Sequence, residues 1–261
     1  MLNDFLASLR AAGLSRETVQ LRRYHLQRVE NELGPLPSLT TSEIVSFLAT
    51  DGWSREYRRS MRASLTKFYA WAYGRGLIGE DPARDLPRVQ PTPPRPRPTP
   101  AGALESALAR ASDRVRLMIL LASEAGLRRA EVCKVHERDL VEDLIGVSLL
   151  VHGKGGKQRL VPLSDSLTRE IRGSFDSSGW LFPNGLGSHL TAAHVGKLVS
   201  AELPEGITMH TLRHRFATRV YAASRDILAT QQLLGHSSPA TTQAYVAIDV
   251  ARLRDVVTMA A

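Results

Sequence analysis

The chain has 261 residues, a length that corresponds to one or two domains and is sufficient to bury a hydrophobic core. Hydrophobic residues make up 43% and charged residues 23% of it, which excludes a mainly disordered, collagen-like or membrane-spanning chain. Lysine and arginine total 34 against 26 aspartate and glutamate, and the net charge of +8 favours a polyanionic partner such as nucleic acid. One cysteine, Cys133, and an N-terminus without a leader-like pattern predict a cytoplasmic location.

The first 88 residues show helical periodicity throughout and predict an all-helical domain. Ser15 is a good N-cap for a helix that runs to Gly34, where a glycine followed by proline ends it. Thr41 or Ser42 is expected to cap the helix that follows.

An arginine stripe marks the next helix, because arginines recur at i, i+3, i+4 and i+7 while apolar residues occupy another face. Solvated helix faces normally mix charges of both signs, and the only acid in this stripe is Glu56. We therefore expect the stripe to contact DNA phosphates, with an ordinary solvated face as the alternative. The stripe consists of Arg55, Arg58, Arg59 and Arg62.

A proline-rich linker is predicted at residues 89–100, where six prolines fall within 91–100 and hold the chain extended. It separates the helical domain, 1–88, from a second domain, 101–261. The linker arginines, Arg95 and Arg97, are equally consistent with phosphate contact and with simple solubility.

The second domain is predicted to be helical around one small sheet. Residues 145–151 and 158–163 have strand character and flank a glycine-rich turn at 153–157, a pattern typical of a β-hairpin. Helical signals precede the hairpin and resume from Ser164. The predicted fold class is therefore mainly α with a small antiparallel sheet, or α+β.

Five short motifs follow one another in this domain. They are Gly126-Leu127-Arg128, Gly153-Lys154-Gly155, His210-x-x-Arg213-His214, Leu234-Gly235-His236 and Tyr245. Their order and spacing resemble the signature of the tyrosine recombinases, the family of phage integrases and Xer-type recombinases. The resemblance covers residues 101–261 well, and the first domain is similar to the SAM-like, core-site DNA-binding domain of that family.

The resemblance implies that Tyr245 attacks a phosphodiester, forms a 3′-phosphotyrosyl link and releases a 5′-hydroxyl. A tyrosine hydroxyl with a pKa near 10 is a poor nucleophile at neutral pH, so it requires a proton acceptor and cations on the phosphate. Arg128 and Arg213 would clamp the non-bridging oxygens by charge-assisted hydrogen bonds. His210 would accept or relay the tyrosine proton.

The resemblance assigns the remaining roles in the same way. His236 would donate to a non-bridging oxygen, and Lys154 would protonate the departing 5′ oxygen, with Lys157 as its rival. Glu131 matches a usually acidic position that supports the basic groups of the site. No metal or other cofactor is expected; His210 and His214 have the i, i+4 spacing of a zinc pair, but no third ligand lies at the spacing of a zinc protease.

Two positions depart from the family pattern. Arg215 stands where a small hydroxyl residue is common, and Ser224 stands where a glycine often precedes the next helix. Neither is one of the predicted nucleophile or clamp residues, so the expected activity is unaffected.

The resemblance implies a site-specific recombinase that acts on double-stranded DNA as a homotetramer, with the segment 246–261 docking on a neighbour or on its own domain. The short N-terminal region favours a minimal phage or mobile-element integrase. We expect it to act on nucleoid DNA in the host cytoplasm, with a possible accessory directionality factor and no membrane contact. Xer-like resolution of chromosome or plasmid dimers is the main alternative. A type IB topoisomerase-like enzyme and a non-catalytic DNA-binding regulator are less favoured.

Overall fold

A computed structural model of the protein describes residues 1–91, 99–142 and 144–235, and for Lys154 the backbone alone. The chain divides into two compact units, Met1–Pro93 and Pro94–Ala261, and the division falls within the stretch predicted as a linker. The described ranges contain no helix with the length and apolar character needed to cross a bilayer. Of the predicted functional positions, Arg95, Arg97, His236, Tyr245 and the segment 246–261 lie outside the described residues.

The N-terminal unit is built from four helices. They are α1 (Leu2–Ala11), α2 (Arg16–Leu33), α3 (Thr41–Leu48) and α4 (Arg55–Gly74), with a short 3-10 turn at Leu36–Ser38. Apolar faces of these helices meet in one core that includes Leu26, Ile44 and Phe68. The helical periodicity of the sequence therefore predicts this unit correctly.

Helix caps fix where these helices begin. Ser15 caps α2 as predicted, because its side chain accepts a hydrogen bond from the Thr18 amide. The prediction that Thr41 or Ser42 caps α3 is wrong by one or two residues. Thr40 is the cap, since it and Glu43 form a reciprocal capping box.

The C-terminal unit contains seven helices and one sheet within its described residues. The helices are α5 (Ala101–Arg110), α6 (Asp113–Ser123), α7 (Arg129–Val132), α8 (Asp165–Arg172), α9 (Ala192–Glu202), α10 (Met209–Ser224) and α11 (Ile227–Leu234). The strands are β1 (Leu140–Glu142), β2 (Val147–His152) and β3 (Gln158–Pro162), antiparallel in the order β1-β2-β3. This confirms the predicted fold class, including the hairpin of β2 and β3, and adds β1 as a third strand.

Helix α6 is the centre of the C-terminal unit, since residues 117–123 are all buried. It packs against α10 and leads into a turn at Gly126, which has a φ of +66°. A Cβ atom on Gly126 would lie 2.3 Å from the Phe216 ring of α10, so only glycine lets the turn approach this helix. The loop before α7 is thereby held against α10.

Candidate active site

Glu131 lies at the centre of the site, in the single turn of α7. Its side chain is only 3% exposed, and its carboxylate accepts two hydrogen bonds from Arg128. The Arg128 backbone amide and the Arg128 Nη1 each donate over 2.8 Å. Because α7 begins directly after Arg128, the same carboxylate caps the helix and orients the arginine side chain.

Arg213 reaches this site from α10, the helix that also carries His210. Its guanidinium is buried and donates hydrogen bonds to the carbonyls of Gly126 and Leu234. Its Nη1 also lies 3.8 Å from a Glu131 oxygen. The fold thus brings Arg128, Glu131 and Arg213 together, although α10 is distant from α7 in the sequence.

Arg159 is a third arginine at Glu131, and sequence reasoning did not identify it. From strand β3, its Nη1 and Nη2 donate to the two carboxylate oxygens over 3.0 and 2.8 Å. Its Nε donates to the Leu233 carbonyl over 2.7 Å. The alternation of β3 placed Arg159 on a face with Val161, but nothing in the sequence indicated that its partner would be Glu131.

The C-terminal end of α11 closes the site. A helix end carries carbonyls without an intrahelical partner, and here three consecutive ones accept from the three arginines. Arg159 donates to Leu233, Arg213 to Leu234 and Arg128 to Gly235, the last over 3.3 Å. The residue that follows in the chain is His236, so the sequence leads from this cluster directly into the next predicted site residue.

Glu131 is ionised despite its burial. Burial alone would raise its pKa, but hydrogen bonds from Arg159 and from the Arg128 backbone, together with the charge of Arg159, lower the pKa to about 2. The carboxylate therefore neutralises one of the three surrounding positive charges at any physiological pH. The cluster retains a net positive charge suited to an anionic ligand.

The two histidines of α10 lie beside the arginines, with their rings edge to face and 4.2 Å apart. Desolvation of the ring, followed by the charges of Arg213 and Arg128, lowers the pKa of His210 below 6.5. Burial, followed by repulsion from His210 when that ring is protonated and by the charge of Arg213, lowers the pKa of His214 to about 4. Both rings are neutral at pH 7, so His210, which is exposed, is able to accept a proton.

The turn of Lys154 connects β2 to β3. It is closed by the Gly153 amide, which donates to the Lys157 carbonyl over 2.7 Å. At its base, His152 Nε2 lies 2.9 Å from the buried carboxylate of Asp139, and His152 Nδ1 lies 3.2 Å from the Gln158 amide nitrogen. These contacts fix where Lys154 enters the turn.

The arginine stripe of α4 is only partly free for a ligand. Arg58 and Arg62 are half-buried and donate to the carbonyls of Thr50 and Leu86 over 3.1 and 2.8 Å. Arg59 is exposed and pairs with Glu56 at 2.9 Å, and Arg55 is exposed at the start of the helix. The structure therefore gives three of the four arginines a contact within their own unit, and of these three only Arg59 is exposed.

The two departures from the family pattern also have local consequences. Arg215 donates to the Thr99 carbonyl over 3.2 Å and so ties the C-terminal end of the proline-rich stretch to α10. Ser224 is the last residue of α10, and the left-handed position that ends the helix is Arg225, with a φ of 55°. Within the described ranges, Arg225 is the one non-glycine residue with a positive φ.

A buried carboxylate that holds arginines beside a neutral histidine defines a site for an anionic group such as a phosphodiester. Comparison with known proteins agrees with this class of site. The model of the phage integrase family matches residues 102–252, more than half of the chain. The tyrosine recombinase XerD of Rhizobium meliloti (strain 1021) is 32% identical over 245 residues, which cover 82% of this chain and 76% of that protein.

Solved structures give the same result for the fold. A lambda integrase dimer bound to a COC′ core site superposes with a TM-score of 0.74 at 20% identity and covers 94% of this chain and 75% of its own. The XerH site-specific recombinase bound to difH substrate in a pre-cleavage complex has a TM-score of 0.63 at 26% identity, with coverages of 84% and 70%. The chain therefore belongs to the phage integrase family of tyrosine recombinases.

Proposed function

We propose that the protein cuts and rejoins double-stranded DNA at a specific site through a 3′-phosphotyrosyl intermediate on Tyr245. The observation that carries this proposal is the convergence of Arg128, Arg213 and His210 on one site around Glu131. Family membership and the DNA-bound state of the similar XerH structure support the choice of substrate.

In this reaction, Arg128 and Arg213 bind the non-bridging oxygens of the scissile phosphate and stabilise the charge that develops on them. Neutral His210 accepts the proton of the attacking tyrosine, and His236 donates to the phosphate. Lys154 delivers a proton to the 5′ oxygen as it leaves. The phosphotyrosyl bond preserves the energy of the phosphodiester. The 5′-hydroxyl of a partner strand can therefore attack the phosphotyrosyl phosphorus, which forms a new phosphodiester and releases the tyrosine hydroxyl without ATP.

The N-terminal unit supplies DNA contacts in this proposal. Arg55 and Arg59 are the exposed members of the stripe and offer charge to the phosphate backbone, whereas Arg58 and Arg62 use part of their donor capacity within the unit. We assign Arg95 and Arg97 of the linker to the same backbone contact.

Strand exchange between two duplexes requires four cuts, and we propose a homotetramer on DNA with 246–261 as the docking segment. A lambda integrase tetramer bound to a Holliday junction has the same fold. For the biological role we propose phage or mobile-element integration and excision in the cytoplasm, with an accessory directionality factor. The Xer names of the curated relatives favour a second candidate, the resolution of chromosome or plasmid dimers.

A suicide-substrate assay tests the activity. Duplexes selected by binding from a random-sequence library are nicked a few nucleotides to the 3′ side of the cleavage position, so that the short fragment carrying the released 5′-hydroxyl is lost and the covalent adduct accumulates. We expect an adduct in the presence of EDTA and none with Tyr245→Phe. No adduct on any selected duplex would contradict the proposal, and relaxation of supercoiled DNA without exchange between two duplexes would indicate a topoisomerase-like enzyme.

The role is tested separately. Direct repeats that flank the gene and recombine in the presence of the protein are expected for an integrase. Recombination confined to one site on a chromosome or plasmid, with accumulation of dimers when the gene is deleted, is expected for the Xer-type role.

A further inference from the structure

Arg159 is buried to an unusual degree for an arginine on a strand of a small sheet. Its side chain is 10% exposed, whereas its neighbour Leu160 is exposed to solvent. This is the reverse of what the hydropathy of the two residues predicts. Burial of a guanidinium is unfavourable unless its donors are satisfied, and here Glu131 and the Leu233 carbonyl accept from it.

The surroundings of Arg159 are shaped to hold it. Gly235 follows α11 with a φ of +60°, and a Cβ atom at this position would lie 3.0 Å from Arg159 Cδ. Glycine is favoured here for two reasons: it adopts the left-handed conformation that ends α11, and it leaves room for the Arg159 side chain. Arg159 thereby joins β3, α7 and α11, three elements that carry or adjoin predicted site residues.

Glu131 interacts differently with its arginines. The Arg159 guanidinium forms a bidentate pair with both oxygens of the carboxylate, whereas the Arg128 guanidinium donates one hydrogen bond to it. The Arg128 side chain remains 40% exposed. If Arg159 were absent, the buried carboxylate would lose two hydrogen bonds, and Arg128, whose side chain is 40% exposed and already bonded to Glu131, has the freedom to turn further onto the carboxylate oxygens.

We propose that Arg159 is a positioning residue for the DNA cleavage proposed above. By binding both carboxylate oxygens of Glu131 and the Leu233 carbonyl at the end of α11, it keeps the Arg128 guanidinium directed at the scissile phosphate. The inference rests on the proposed function. Arg159 itself contacts no substrate in this mechanism and acts through Glu131 and Arg128.

The charge of Arg159 is not sufficient for this role, because a lysine ammonium is a point donor that does not match both carboxylate oxygens and the Leu233 carbonyl in one plane. Arg159→Lys therefore separates charge from geometry. Arg159→Met removes the charge and the donors but retains an unbranched side chain.

The test measures the single-turnover rate of adduct formation and, separately, the DNA dissociation constant, with a thermal melt to establish the folded fraction. We expect Arg159→Met to lower the rate about 10- to 100-fold, as loss of a supporting partner does in other sites, with the dissociation constant nearly unchanged. Arg159→Lys is expected to restore only part of the rate.

A matched control is Arg116→Met, which breaks the half-exposed 3.0 Å pair of Arg116 with Glu170 between α6 and α8. It removes the same arginine chemistry from the same unit and is expected to leave the rate within about twofold. The double variant Arg159→Met with Glu131→Gln gives a further readout. Because both residues act on Arg128, their effects on the rate are expected to be strongly non-additive.

The outcomes are distinguishable. If the wild-type protein forms no adduct on any selected duplex, the proposed function fails and the inference fails with it. If the wild type reacts and Arg159→Met retains its rate, the inference is overturned while the proposed function stands. If Arg159→Met does not fold, Arg159→Lys decides: a folded variant with the full wild-type rate overturns the positioning role, and a reduced rate at unchanged DNA affinity supports it.

Discussion

The two units of the protein accommodate clusters of basic side chains in opposite ways. In the C-terminal unit, three guanidiniums surround the ionised carboxylate of Glu131. In the N-terminal unit, between α2 and α4, Arg22 donates to the neutral Ser64 hydroxyl over 2.7 Å. His25, only 1% exposed, has its Nδ1 2.6 Å from the same hydroxyl.

The difference determines how each unit responds to acid. Burial, followed by the charges of Arg22 and Arg28, lowers the pKa of His25 to about 4, so this cluster is tolerable because the histidine is neutral. The C-terminal cluster is tolerable because Glu131 is charged. Protonation of His25 disturbs the N-terminal cluster as the pH falls toward 4. Protonation of Glu131 disturbs the C-terminal cluster only at a lower pH, near 2.

Removal of the counter-charge is expected to have the largest effect. Glu131→Gln leaves three arginines around a neutral amide, and we expect a loss of about 3–5 kcal/mol in the free energy of unfolding of the C-terminal unit at pH 7. Urea denaturation followed by circular dichroism measures it. The rate of the proposed cleavage should fall as well.

The pH dependence of this loss provides the control. The pKa of Glu131 is lowered from 4.5 to about 2, so its stabilisation is present above pH 4.5 and disappears as the pH falls through about 2. The shift corresponds to about 3 kcal/mol. The difference between wild type and variant should therefore shrink between pH 4.5 and 2, and a difference that stays constant over this range would contradict the ion-pair explanation.

Gly126→Ala is expected to have the second largest effect, about 2–4 kcal/mol of destabilisation. The new methyl group would meet the Phe216 ring at 2.3 Å and displace the carbonyl that accepts from Arg213. Gly185→Ala is the matched control, since Gly185 has a φ of +76° with open space around it. Its cost should be about 1 kcal/mol, from backbone strain alone, and equal losses in the two variants would show that the contact with Phe216 is unimportant.

Much of the C-terminal site follows from the sequence because its motifs are local. The spacing of Arg128 and Glu131 places both at the start of one helix, and that of His210 and Arg213 places both on one face of another. The packing of α6 against α10 brings these pairs together. The resemblance implied that Arg128 and Arg213 act on one phosphate, but neither it nor the residues indicated which helices pack to achieve this.

The remaining contacts were not predictable for physical reasons. Arg159 has a partner on a separate element, and its strand buries the arginine while exposing Leu160, so hydropathy gives the wrong face. Strand β1 has three residues and only Leu140 and Val141 as apolar members, too short a pattern to distinguish from a loop. The stripe on α4 was visible, but its bonds to the carbonyls of Thr50 and Leu86 depend on how the segments before and after the helix fold against it.

His25 should give the N-terminal unit its own acid sensitivity. Its folded pKa of about 4 lies below the ordinary 6.5, so its contribution is present above pH 6.5 and is lost as the pH falls toward 4. At pH 5 the free energy of unfolding should be lower by about 2 kcal/mol than it is above pH 6.5. Hydrogen exchange of amides in α2 and α4, corrected for intrinsic exchange, measures the loss in the intact chain.

In His25→Gln the same amides should show a flatter pH dependence, even if the variant is less stable at pH 7. His194→Gln, an exposed histidine of α9, serves as the control and should leave the exchange of α2 and α4 unchanged. An unaltered pH dependence in His25→Gln would mean that burial of this ring does not govern the acid response of the N-terminal unit.

The smallest effects separate the two kinds of arginine on α4. Arg62→Ala removes the hydrogen bond to the Leu86 carbonyl and should cost about 1 kcal/mol of stability. Arg55→Ala, at an exposed position, should change stability by less than about 0.5 kcal/mol. If Arg55 contacts one phosphate, its removal should weaken binding to all DNA sequences alike and reduce the slope of log affinity against log salt by about 1. An unchanged slope in Arg55→Ala would make this end of the stripe an ordinary solvated face, whereas the stability cost of Arg62→Ala would stand.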